Sequence, residues 1–330
     1  ARGPDMPGPY RQSKLRRKKI SKDPARVTTR TQPGGMMAKT EPERRQTMRK
    51  FVLLLAAALA LTACSGSADT DSTTDDTTET TAKPVELYVF AAASMQESLD
   101  QVIEAYKAVA PEVAVVATYD SSGTLKTQIQ EGADCDVFIS AAPKQMNAMD
   151  GSLIDDKDKN PDGLDLIVTD SRIDLLENKV TLAVPEGNPK GIESFDQLAE
   201  LLASGDVFLA MGNSDVPVGQ YTQKIFTYYG LNEETLASSG VLTYGSNVKE
   251  VTTQVSEGTV DCGVIYATDA FSAGLTVVDE ATAEMCGQVI YPAAVMKNSA
   301  NPDAAKAFLD FLSTDEAMAC FEAVGFSPMV

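Results

Sequence analysis

Four short stretches set small or neutral polar residues where an apolar strand pattern gives way to a helix pattern. They are Phe90–Glu97 (FAAASMQE), Tyr119–Lys126 (YDSSGTLK), Gly212–Tyr221 (GNSDVPVGQY) and Gly245–Val251 (GSNVKEV). The first turn of a helix carries N–H groups without intrahelical partners and a partial positive charge, so such corners attract anions. Ser94 stands three residues before Glu97, and Asn247 three before Glu250, the spacing of a capping box. Ser121, Ser122 and Gly123 open the second corner, and Pro217, Val218 and Gly219 the third. Tyr266 follows the apolar run CGVI and adds a phenolic hydroxyl. Helix capping accounts for any one corner, and core packing for the tyrosine. Together, two corners early in the chain and two corners plus a tyrosine later are enough to surround one anion with donors.

No Lys or Arg falls inside the donor positions. Lys126 and Lys249 lie one turn further along and are expected to point to solvent. The nearest possible acceptors are Asp120 and Asp215. Ser246 and Lys249 also match S-x-x-K, the pattern of serine acyl-enzymes, but no K-T-G or S-D-N accompanies it. The chain has no His, which excludes histidine triads and HExxH zinc sites.

The elements that must position these residues alternate, short apolar strands with amphipathic helices, which predicts an α/β fold. Strands are expected at 85–90, 113–119, 179–184 and 287–296, with Pro292 marking an edge or a bulge in the last. Helices are expected to close at Gly132, Gly230 and Gly258. The pattern divides into two lobes, residues 85–181 with 287–330 and residues 182–286, and ligands of such folds bind beyond the carboxyl ends of strands.

Charge is unevenly spread over the 330 residues. Residues 51–330 contain 13 Lys and Arg against 43 Asp and Glu, a net of −30. A body this acidic does not favour nucleic acid, whose phosphates reward cations. The basic residues 1–47 read as an extended or non-native leader rather than a nucleic-acid patch. Residues 48–63 have a short basic start, an apolar run and small residues before Cys64, the layout of a secretory signal. Residues 64–84 are polar and low in complexity, as expected of a disordered tether. Four further cysteines, Cys135, Cys262, Cys286 and Cys320, form no CxxC; a Cys286–Cys320 disulfide is the favoured pairing, with buried free thiols as the alternative.

Leu61-Thr62-Ala63-Cys64 resembles the lipobox of bacterial lipoproteins, in which the Cys carries the lipid. From Val85 onward the ordered set VFAAAS, SSGTL, DVFISA, VPVG, GVIYATDA and YPAAV resembles the molybdate-binding proteins of molybdate ABC importers. That resemblance implies a two-lobed periplasmic-binding-protein fold of type II. It also implies an oxyanion held by the hydroxyls of Ser94, Ser122 and Tyr266 and by the backbone N–H groups of Val218 and Val248. No cofactor and no directly coordinated metal is expected; molybdenum or tungsten arrives as molybdate or tungstate. The implied partners are a membrane permease and, through Cys64, the membrane itself, for an extracytoplasmic, monomeric protein that is not an enzyme. Gly123 stands where many relatives have a third serine. The remaining readings are a receptor for sulfate, phosphate or a small carboxylate, a serine acyl-enzyme, and a surface adhesion lipoprotein.

Overall fold

A computed structural model describes residues 84–330. The leader, Cys64 and all of the tether but Pro84 lie outside the described residues. The chain opens with β1 (Val85–Ala92), α1 (Gln96–Val109), β2 (Val113–Asp120), α2 (Ser122–Gln130), β3 (Val137–Ile139), α3 (Pro143–Asn147) and β4 (Ile173–Asn178). It continues with β5 (Val180–Val184), α4 (Phe195–Ser204), β6 (Leu209–Gly212), α5 (Pro217–Tyr228), α6 (Glu233–Ser239), β7 (Leu242–Gly245) and α7 (Val248–Ser256). β8 (Cys262–Tyr266), α8 (Ala267–Ala273), β9 (Thr276–Glu280) and α9 (Ala283–Cys286) follow. The chain ends in β10 (Val289–Val295), α10 (Pro302–Leu312), α11 (Asp315–Glu322) and β11 (Ser327–Pro328).

Two mixed sheets flanked by helices result, the type II arrangement. One has the order β11-β4-β10-β3-β1-β2, the other β7-β6-β8-β5-β9. β1 pairs in parallel with β2 and β3, and β6 with β7 and β8. The corners after β1, β2, β6 and β7 therefore lie at the carboxyl ends of parallel strands, where helix N-termini collect. The inner strands β1, β5 and β6 are apolar in their middles because helices cover both faces; Leu87, Val89, Leu182, Leu209 and Met211 are fully buried.

The chain crosses between sheets at Lys179 and returns between Glu280 and Val289. A lobe boundary after residue 181 cuts through β5, so the first crossing lies two residues earlier. β4 escapes a strand reading because its polar ends mask the central Leu175 and Leu176. Pro292 sits inside the sheet between β3 and β4, at a bulge beside Tyr291, and not on an edge.

All four described cysteines are free thiols, which corrects the expected Cys286–Cys320 bridge. Cys286 Sγ, in α9, faces the Thr282 and Gly287 carbonyls, whereas Cys320 Sγ, in α11, faces the Glu316 carbonyl. Cys135, Cys262 and Cys286 are buried, and Cys320 is partly exposed. Burial pushes the Cys135 and Cys262 thiols well above their ordinary range.

A cavity of hydroxyls and helix ends between the two sheets

Ser94, Ser122, Val218, Val248 and Tyr266 line one small cavity, with Ala92, Ala93, Ala141, Val216 and Pro217. All five are buried. Ala92, which ends β1, and Ala93, which follows it, add no bulk to the cavity wall.

Ser94 lies in a 3-10 turn (Ala93–Met95) ahead of α1, and it caps nothing. That corrects the capping-box expectation: the extra turn moves the helix start to Gln96 and puts Met95 at the cap position. Its Oγ lies instead 2.8 Å from the Tyr291 hydroxyl. In the second corner Ser121 does the capping, its Oγ accepting from Thr124 N–H at 3.1 Å. Ser122 is thereby left for another role, and its Oγ accepts from Ala141 N–H at 2.9 Å. A hydroxyl that accepts one such bond still has its own proton to donate.

Val218 is the second residue of α5, whose cap carries no side-chain bond, and Pro217 occupies the first position without an N–H. Gly219 is required here: a Cβ would come within 2.2 Å of the Gly212 carbonyl oxygen. Val248 is the first residue of α7, capped by Asn247, whose side chain accepts from Glu250 N–H. Glu250 answers at Ser246 N–H, 2.7 Å away, one residue before the position a capping box uses. First-turn amides such as those of Val218 and Val248 have no carbonyl partner within their helices. The N-termini of α2, α5 and α7 thus meet at the cavity, two from one lobe and one from the other.

Tyr266, 1% exposed, stacks edge-on between Tyr221 and Tyr291, with centroids at 6.4 and 5.8 Å. Its hydroxyl is buried without a hydrogen-bond partner among the described residues. Burial, with Tyr291, Tyr221 and Asp269 adding to it, holds the phenol well above its ordinary pKa. At neutral pH it is a donor.

Asp120 also lines the cavity. Its Oδ1 accepts from Ser121 N–H at 2.7 Å and from Asn247 Nδ2 at 3.3 Å, the second bond joining the two lobes. Asp215 does not line the cavity; its backbone oxygen instead packs against Gly123. Neither lysine points to open water. Lys126 lies 3.7 Å from Asp162. Lys249 lies 2.7 Å from Glu97 and 3.0 Å from Asp269. Burial pulls its pKa down, the two carboxylates push it up, and the net shift is upward. A lysine so held is no base for Ser246, which removes the geometric support for the S-x-x-K reading.

Sequence reasoning missed Tyr291, Asn178 and Ala141. Tyr291 lies inside the YPAAV stretch, and a tyrosine in a buried strand needs a hydroxyl partner, which was the available signal.

Residues 87–327 match the profile of the bacterial extracellular solute-binding proteins. The chain is 32% identical over 281 residues to the putative ABC transporter substrate-binding lipoprotein YvgL of Bacillus subtilis, covering 84% of this chain and 98% of that protein. It is 30% identical to the molybdate-binding protein ModA of Haemophilus influenzae, over 72% of this chain and 89% of the relative. Among solved structures, the substrate-binding domain of a putative molybdenum ABC transporter from Clostridium difficile superposes with a TM-score of 0.53 at 31% identity. That likeness covers 74% of this chain and all of that domain.

Proposed function

The chain belongs to the bacterial extracellular solute-binding protein family, and from that premise we propose that it captures molybdate, and tungstate, for a membrane permease of the ABC type. Its place is outside the cytoplasm, tethered through a lipid on Cys64, as a monomer. The observation that carries the reading is the buried Tyr266 hydroxyl, unpartnered among the described residues, on a cavity shared with Ser94, Ser122 and three helix N-termini.

Three hydroxyls and the Val218 and Val248 amides make a neutral donor set. A tetrahedral dianion that carries no proton offers acceptors only, so every donor finds a partner. Helix ends supply the favourable potential without a buried cation, whose desolvation is expensive. The names of the relatives support molybdate over other dianions of this kind. Among the described residues no helix is long and apolar enough to cross a membrane.

Asp120 on the cavity wall is the one feature that favours a protonated oxyanion such as hydrogen phosphate. Its Oδ1 is engaged by Ser121 and Asn247, so Oδ2 is the oxygen that would have to accept from such a ligand. Elemental mass spectrometry of the anion that copurifies with the protein tests the proposal. Molybdenum or tungsten in near-stoichiometric amount is expected; phosphorus in their place contradicts it.

A further inference from the structure

We propose that Asn178 and Tyr291 fix the direction of the Ser94 hydroxyl, and so make the cavity reject oxyanions that carry a proton. This rests on the oxyanion reading above.

These groups form a directed chain of hydrogen bonds. Asn178 Oδ1 accepts from Lys179 N–H at 2.8 Å, which orients the amide and turns its NH2 the other way. Asn178 Nδ2 donates to Thr268 Oγ1 at 2.9 Å and to the Tyr291 oxygen at 3.2 Å. The Tyr291 hydroxyl, facing a donor on that side, donates to Ser94 Oγ at 2.8 Å. Ser94 then has its own proton left for the cavity. Asn178, Thr268, Tyr291 and Ser94 are all buried, so water does not rescue a mismatched group. Ser122 is directed in the same sense by Ala141 N–H, a donor that cannot reverse.

Both first-lobe hydroxyls are therefore held as donors by groups behind them. A ligand O–H facing Ser94 leaves a buried hydroxyl proton without an acceptor. Reversing Ser94 and Tyr291 only moves the fault, because the Tyr291 proton then meets the Asn178 NH2. Either fault carries the cost of an unsatisfied buried donor. Asn178 is the last residue of β4, immediately before the chain crosses between sheets, and Thr268 belongs to α8 of the other lobe. The polarity of the cavity is thus set from the crossing, through two hydrogen bonds to Ser94. Asn178 and Tyr291 are positioning residues.

The test is Asn178→Asp, read by calorimetry with molybdate, sulfate and hydrogen phosphate at about pH 8. An aspartate accepts from Tyr291, Tyr291 accepts from Ser94, and Ser94 becomes able to accept from a ligand O–H. The added charge repels all three dianions alike, so ratios are the readout. Hydrogen phosphate is expected to gain about tenfold relative to both molybdate and sulfate, while the molybdate-to-sulfate ratio holds. Phosphate falling in step with sulfate overturns the inference. Tyr291→Phe removes the chain without reversing it, and molybdate binding weakens about three- to tenfold. Unchanged molybdate affinity in Tyr291→Phe overturns the inference even where Asn178→Asp does not fold. A wild-type protein that binds none of molybdate, tungstate and sulfate overturns the oxyanion reading, and this inference with it.

Discussion

The Lys249 ammonium of α7 lies 2.7 Å from the Glu97 carboxylate of α1, so a cation of one lobe is held by an anion of the other. Asn247 to Asp120 at 3.3 Å and Gln145 to Gln220 at 3.4 Å also cross between the lobes. Each of these contacts would have to break if the two lobes were to part. The Lys249 and Glu97 side chains are 26% and 42% exposed, so their pair is worth less than about 1 kcal/mol. Glu97→Gln is expected to speed anion release about threefold in stopped-flow measurements at low salt. Wild type and variant converge near about 0.5 M NaCl, where screening removes most of the difference. A salt-independent gap contradicts this role.

Asp269 is buried behind the same lysine. Burial is the larger influence, opposed by Lys249, and its pKa rises from 3.8 to about 6. The folded protein therefore holds this proton more tightly than the unfolded chain does. The stability this contributes is fully present below about pH 4 and is lost as pH rises through about 6. It amounts to about 3 kcal/mol. Relative to Asp269→Asn, wild type is expected to lose stability between pH 4 and 6 in urea melts and to hold level above. A difference that grows with pH over that interval contradicts the shift.

Ser94→Ala and Tyr266→Phe each remove one donor from the cavity without adding volume. Each is expected to weaken molybdate binding by about 1–3 kcal/mol, the usual loss for a bond to a charged group. Val248→Ala keeps its main-chain donor and is expected to bind within about threefold of wild type. Calorimetric titration checks all three, and wild-type affinity in both Ser94→Ala and Tyr266→Phe contradicts the assigned site.

Gly123 governs how closely the lobes meet. A Cβ there would lie 2.2 Å from the Asp215 backbone oxygen, which belongs to the other lobe. Gly123→Ala is expected to leave the melting temperature of the anion-free protein within about 2 °C. It lowers affinity at least about tenfold, because the α2 and α5 ends no longer close fully. Small-angle scattering with saturating molybdate then gives a larger radius of gyration than wild type; an identical radius contradicts the contact.

Much of this site was legible locally. Strand-to-helix corners, small residues and caps placed Ser122, Val218 and Val248 at helix starts, where the structure has them. What was not legible depends on partners distant in sequence. Ser94 reads as a cap until Tyr291, 197 residues on, takes its hydroxyl. Lys249 reads as solvated because Glu97 lies 152 residues away in the other lobe. Cys286 and Cys320 share the C-terminal segment, but α9 belongs with the second lobe and α11 with the first. β9 carries an exposed, irregular pattern and sits on a sheet edge, so no alternation marks it.

The central claim is that neutral donors on this cavity bind a fully deprotonated tetrahedral dianion. Calorimetric competition on the purified protein tests it most directly, titrating molybdate in the absence and presence of excess hydrogen phosphate. One molybdate per chain is expected, with its affinity unmoved by phosphate. Displacement of molybdate by phosphate at comparable concentration, or no molybdate binding in protein freed of its copurifying anion, contradicts the claim.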